Sequence, residues 1–196
     1  MSADAEALER LVRATPWLLE ALRAARSPGL ASWCIGAGAI RTLVWDALHG
    51  RASSGPSADV DLVFHDGDPA RAGASYERAL EARLCQMAPG LAWDVVNQAG
   101  AHHAFPQALA QGRPAHASLE AAIATWPETA TCVGVFLDDG DALHVIAPLG
   151  LRDLFDGVVR FNPACGDRAV FDDRLARKRW RARWPALRVV EPRHGV

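Results

Sequence analysis

Apolar residues recur three and four positions apart over residues 4–26, where Leu8, Leu11 and Val12 make one stripe and Leu18, Leu19 and Leu22 another. That spacing predicts helix. Thr15-Pro16 divides it, with the threonine suited to an N-cap, the proline to the first helical position, and Glu20 adding acid early in the second helix. Ser27-Pro28-Gly29 ends the segment. Trp33-Cys34-Ile35 reads as a strand entry and Gly36-Ala37-Gly38 as a small-residue turn, followed by a helix with Ile40, Leu43, Val44, Ala47 and Leu48 on its core side. A loop leads to Asp59-Val60-Asp61-Leu62-Val63-Phe64, a β-branched and aromatic run that predicts a strand. Residues 65–69 form a turn-rich loop, and 70–87 read as a helix with Tyr76, Leu80 and Leu84 aligned. Pro89-Gly90 stops that helix before a strand over 91–98. The intervening helix is long enough for a crossover connection.

The second half is less regular. Residues 99–117 carry His102, His103 and His116 without ligand spacing, so they read as solvated loop histidines, with His102 or His103 a lesser candidate for the rim of a site. Ser118 suits the N-cap of a short helix over 119–124, closed by Trp126-Pro127. Two β-like runs, 131–137 and 142–146, are joined by Asp138-Asp139-Gly140-Asp141, a hairpin signal whose acidic tip reads as solvated rather than cation-binding. A short helix is predicted over 149–159. A final helix over 167–184 has Asp172 and Asp173 early and Arg177, Lys178, Arg179, Arg181 and Arg183 late, matching the helix dipole. Trp180 and Trp184 within it are four apart, the spacing of a packed face.

Composition narrows the class without choosing a function. The 196 residues suit one domain with a substantial core, and a net charge of -2 gives no global reason to expect nucleic-acid or membrane binding. Cys34, Cys85, Cys132 and Cys165 lie far apart with no C-x-x-C pair, and three sit in apolar surroundings, which suggests a reducing compartment. The acidic start lacks a signal-peptide core, and no apolar run approaches the ~18–20 residues of a membrane span. A cytoplasmic protein without membrane attachment is expected.

Chemistry concentrates between Cys34 and Phe64. Strand alternation turns Asp59 and Asp61 to one side and Val60, Leu62 and Phe64 to the core. Two carboxylates about 6.5–7 Å apart along a strand can grip hard cations, beside a helix start suited to phosphate oxygens. Metal-assisted chemistry on a nucleoside triphosphate follows. A dinucleotide fingerprint is excluded, because Arg41 stands where its third glycine belongs and the aspartates begin their strand instead of ending it. A Walker loop fails for want of Gly-Lys-Ser/Thr. The bland reading is that the glycines allow close strand–helix packing and the aspartates are solvated.

These residues resemble the DNA polymerase β-type nucleotidyltransferase superfamily, and look closest to a family of uncharacterised bacterial proteins predicted to be nucleotidyltransferases. The resemblance rests on Ile35-Gly36-Ala37-Gly38-Ala39-Ile40-Arg41, Val44-Trp45-Asp46, Asp59-Val60-Asp61, Asn97-Gln98-Ala99, Trp126-Pro127-Glu128-Thr129-Ala130 and Ala182-Arg183-Trp184-Pro185. It implies an α/β (α+β) fold: a mixed β-sheet of the minimal nucleotidyltransferase type with helices packed on it. One domain would span 1–196, with a core of about 30–160 and helical additions at both ends. The implied reaction moves a nucleoside monophosphate from an NTP to an acceptor hydroxyl, with Mg²⁺ or Mn²⁺ held by Asp59 and Asp61 and the phosphates held by Gly36, Ala37, Gly38 and Arg41. The superfamily usually has Gly-Gly or Gly-Ser at the turn, so Gly-Ala-Gly lacks a hydroxyl ligand for the triphosphate.

The third carboxylate expected to activate the acceptor and join the metal site is Asp94. Alternation sets Asp94, Val96 and Gln98 on one face and Trp93, Val95 and Asn97 on the other. Asp94 is preferred because a carboxylate without such a role would be costly to bury on a central strand. Asn97 on the site face could not act as a base. The acceptor is unspecified, with nucleic acid not favoured. The competing expectation is a nucleotide-binding or partner-binding module without turnover.

Overall fold

The computed structural model describes residues 2–53, 55, 56, 59–100 and 115–190. Helices α1 (Ala3–Arg13) and α2 (Pro16–Arg26) open the chain, divided where proline predicts. Thr15 sits in extended N-cap geometry, but its hydroxyl donates back to the Leu11 carbonyl at 2.8 Å instead of capping α2.

Five strands follow: β1 (Trp33–Gly36), β2 (Val60–Phe64), β3 (Trp93–Asn97), β4 (Gly134–Leu137) and β5 (Leu143–Ile146). They form one mixed sheet in the order β3-β2-β1-β4-β5. Only β2 and β3 run parallel within it, connected by α4 (Ala74–Met87), the expected crossover. Strand β3 therefore lies at the edge of the sheet and not at its centre.

The two faces of the sheet differ. On one, Trp33, Ile35, Val60, Leu62, Phe64, Trp93 and Val95 join the main core with Leu8, Leu18, Leu22 and Leu84 from the helices. On the other, Cys34 and Val63 pack with Cys132 and with Leu119 and Ile123 of α5 (Leu119–Ile123). Ser118 caps α5 as predicted, accepting from the Ala121 N–H at 3.1 Å.

Helix α3 (Ala37–Leu48) follows β1 directly and is buried nearly all round. Ile40, Leu43 and Val44 face inward as expected, joined by Arg41, Thr42, Trp45 and Asp46. Ala47 and Leu48, expected inside, are exposed. The last turn of the helix runs past the elements that cover the rest.

The C-terminal part departs most from the sequence pattern. The helix expected over 149–159 is only α6 (Arg152–Phe155), because Gly157 adopts φ 62 and releases the chain into β6 (Val158–Arg160). The long helix expected over 167–184 breaks at Arg179 (φ 44) into α7 (Arg168–Lys178) and α8 (Trp180–Arg183). The break turns Trp180 and Trp184 inward, edge-on to Trp45 at centroid distances of 5.9 and 5.3 Å. Arg183 and the Trp184 indole both donate to the Asp46 carboxylate at 2.8 Å. Strand β7 (Arg188–Val190) then pairs in parallel with β6.

The acidic β4–β5 tip is held rather than simply solvated. Asp138 accepts from the N–H groups of Gly140 and Ala142 and pairs with His144, while Arg26 reaches Asp141 at 2.6 Å. The four cysteines form no disulfide, with Cys85 exposed and the others buried. His102 and His103 lie outside the described residues; the His116 carbonyl meets His65 Nε2 at 2.7 Å. No helix among the described residues is long and apolar enough to cross a membrane.

Candidate active site

The glycine turn is shaped by close approach. A Cβ on Gly36 would lie 2.9 Å from the Trp126 ring and 3.0 Å from the Val133 carbonyl, so only glycine fits without displacement. Ala37 adopts φ 45, a left-handed conformation costing a non-glycine residue about 1–2 kcal/mol. Its N–H donates to the Val133 carbonyl at 3.0 Å, which fixes the turn against the start of β4. The Gly38 N–H donates to Asp61 Oδ2 at 3.3 Å. Two N–H groups expected to cradle phosphate thus already have protein acceptors, and Gly36 stands behind the cavity wall while Ala37, Gly38 and Arg41 line it.

Three carboxylates share one side of the cavity. Asp61 on β2 is directly opposite Asp94 on β3, so the two lie on the same face, with Asp59 one step before β2. Register does this, not burial: Asp94 is exposed on an edge strand, which corrects the argument from a buried central strand. Burial and then the neighbouring Asp94 charge push the Asp61 pKa up to about 6, against the Gly38 N–H, Arg41 and Arg174.

Asn97 lies on the opposite face and serves the fold. Its side-chain N–H₂ donates to the carbonyls of Asp66 and Arg71 at 2.9 and 3.2 Å. Its Oδ1 accepts from the N–H groups of Asp66 and Ala99 at 3.1 and 3.0 Å.

A basic wall also lines the cavity. Arg41 is only 8% exposed, and its guanidinium lies 5.3 Å from the Trp45 ring and 5.2 Å from the Trp180 ring. Burial lowers its pKa to about 10, so it stays a cation at neutral pH. Its Nε is buried and has no hydrogen-bond partner among the described residues. Arg174 donates to both oxygens of Glu128 at 2.6 and 3.1 Å, and Glu128 is 1% exposed. Burial alone would lower the pKa of Arg174, but the hydrogen bonds and charge of Glu128 outweigh it and hold the value above the ordinary arginine range. Lys178 at the end of α7 completes the wall.

The cavity between these walls encloses about 470 Å³, with Val63, Val96, Gln98, Trp126, Pro127 and Thr131 forming the remainder. Sequence reasoning missed Arg174, Glu128 and the lining role of Trp126. Arg174 and Glu128 are 46 positions apart, and only the resemblance drew attention to the segment around Glu128.

The donor set suits a hard cation, since Asp61 carries buried negative charge that its neighbours do not fully offset. Among the described residues no group of three or more His, Cys, Asp or Glu is arranged to hold a metal by itself. Substrate oxygens and water would complete any coordination here.

Comparison with known proteins places this geometry. An NMR structure described as revealing a CCA-adding enzyme head domain matches 94% of this chain and 95% of its own, with a TM-score of 0.80 and 24% identity. At that identity the likeness establishes the fold. A tRNA-processing enzyme complex matches 87% of this chain at 18% identity and a TM-score of 0.52. This chain spans only 43% of that enzyme's length. No curated protein sequence matches. A family model described as nucleotidyltransferase covers residues 23–189, and the chain whose cavity gathers acidic and basic residues here belongs to that nucleotidyltransferase family.

Proposed function

We propose that the chain transfers a nucleoside monophosphate from an NTP to an acceptor hydroxyl, releasing pyrophosphate. The observation that carries this reading is the gathering, in one cavity, of Asp59, Asp61 and Asp94 with Arg41, Arg174 and Lys178. A magnesium–triphosphate complex presents both partners such a cavity needs: cations for the carboxylates and anionic oxygens for the basic wall.

Arg41 holds the terminal phosphates, its orientation set by the two tryptophan rings. Arg174 and Lys178 add positive charge where pyrophosphate leaves. Asp94, exposed and directly opposite Asp61, takes the acceptor proton as the acceptor oxygen bonds to the α-phosphorus and the bond to the bridging oxygen breaks. Asp59, Asp61 and Asp94, together with substrate oxygens and water, would hold Mg²⁺, which would supply charge stabilisation for the transfer.

The test is transfer of ³²P from each of the four α-labelled NTPs, with Mg²⁺ or Mn²⁺, into a metabolite extract and into RNA. The likeness to a tRNA-processing enzyme makes RNA the first acceptor to include. Labelled product that disappears in Asp61→Asn and Asp94→Ala is expected; full activity in either variant overturns the assignment. A second reading, a binding module without turnover, is favoured by the turn, where the Ala37 and Gly38 N–H groups are already engaged. Metal-dependent NTP binding with no label transferred would select it.

A further inference from the structure

Phosphate and metal chemistry accounts for the charged residues of the cavity but leaves Gln98 unexplained. It follows the last residue of β3, on the same face as Asp94 and Val96, and lines the cavity although only 7% of it is exposed. Its backbone N–H is used, donating to the Phe64 carbonyl at 2.7 Å. Its carboxamide makes no hydrogen bond to any residue among those described, unlike that of neighbouring Asn97. Its carboxamide atoms are not sealed off from the cavity, so a group that enters can pair with them.

The surroundings indicate what that partner is. Between Asp94 and Gln98 the floor is aliphatic, made by Val63 and Val96, and the Trp126 ring forms part of the cavity wall. An aromatic face and an apolar floor suit a flat ring, and a carboxamide offers a paired donor and acceptor to the ring's edge. The triphosphate end is accounted for separately by Arg41, Arg174 and Lys178.

We propose that Gln98, with Val63, Val96 and Trp126, forms the slot for the nucleobase of the NTP, and that the Gln98 carboxamide reads its hydrogen-bonding edge. This rests on the nucleotidyl-transfer reading of the cavity, and it adds a determinant of base selectivity.

Binding of the four NTPs and of inorganic tripolyphosphate, each with Mg²⁺, tests the two readings separately. Gln98→Met keeps the length of the side chain and removes both hydrogen-bonding groups. It is expected to weaken the preferred NTP by about 5- to 20-fold. The spread among the four NTPs should narrow, and tripolyphosphate affinity should stay unchanged. Gln98→Glu, which keeps the acceptor and removes the donor, is expected to reorder the preference among the bases. In contrast, Arg41→Ala should weaken tripolyphosphate and every NTP together. An unchanged order of NTP affinities in both Gln98 variants overturns the base slot. So does equal loss for tripolyphosphate, or an effect on the acceptor KM alone. If the wild-type protein binds tripolyphosphate and no NTP more tightly, the slot falls while the phosphate wall stands; if it binds neither, both readings fall.

Discussion

The same three strands, read on alternate residues, build two different environments. On the core face, Ile35, Leu62 and Val95 are sealed among helices, and the polar Asn97 spends its side-chain donors and acceptor on four protein contacts. On the cavity face, Asp61 sits against the charge of Asp94, and Gln98 lacks a partner among the described residues. A face that exists for the fold satisfies most of its polar groups internally, although the Trp93 indole N–H there has no partner among the described residues. A face that turns carboxylates and a carboxamide toward an open cavity is built for something that arrives from outside.

Mutations should separate the faces sharply. Asp61→Asn is expected to reduce transfer by about 10³-fold while leaving the protein folded, since it removes charge from the catalytic cavity and not packing from the core. Steady-state kinetics beside a circular-dichroism melt would show both effects. Glu128→Ala behaves oppositely, leaving Arg174 without its buried partner and destabilising the fold by about 2–4 kcal/mol. Denaturant titration would read that loss.

Asn97→Ala should cost about 2–3 kcal/mol by stranding the groups that turn 65–72 and residue 99 offer to it. Gln98→Met should change stability little, and a comparable loss in both variants would erase the contrast between the faces.

Much of this was legible in the chain itself. Proline placed the α1–α2 break, alternation put Asp59 and Asp61 together, and the crossover helix set β3 beside β2. Strand order was not legible, so Asp94 was assigned to the right face for a burial cost that an edge strand does not impose. The break at Arg179 carries no glycine or proline signal, because tertiary packing of Trp180 and Trp184 on Trp45 selects it. Nor does any spacing reveal that Arg174 finds Glu128; only the folded chain brings them together.

Acidity offers a finer test. Because the Asp61 pKa in the folded protein lies near 6, above its ordinary value, ionisation of Asp61 costs stability at neutral pH. The native state gains from Asp61 below about pH 4 and loses that gain as pH rises through about 6. Asp61→Asn should therefore raise stability at pH 7.5 by about 1–2 kcal/mol, seen as a Tm increase of roughly 2–6 °C. That advantage should vanish toward pH 4. The smallest effect expected is from Ala37→Gly, which relieves the positive φ and should stabilise the protein by about 0.5–1 kcal/mol.

The bond from the Ala37 N–H to the Val133 carbonyl has a kinetic consequence. Strands β1 and β4 pair across a long stretch of chain, Ile35 opposite Val135. Helices α1, α2 and α4 can form from local contacts as the chain emerges from the ribosome, but the glycine turn cannot close until β4 has been synthesised. A nascent chain halted before β4 would hold Asp59, Asp61 and Asp94 on a neighbouring strand pair while the turn beside them remained unformed. Competence for catalysis is thereby among the last properties the growing polypeptide acquires.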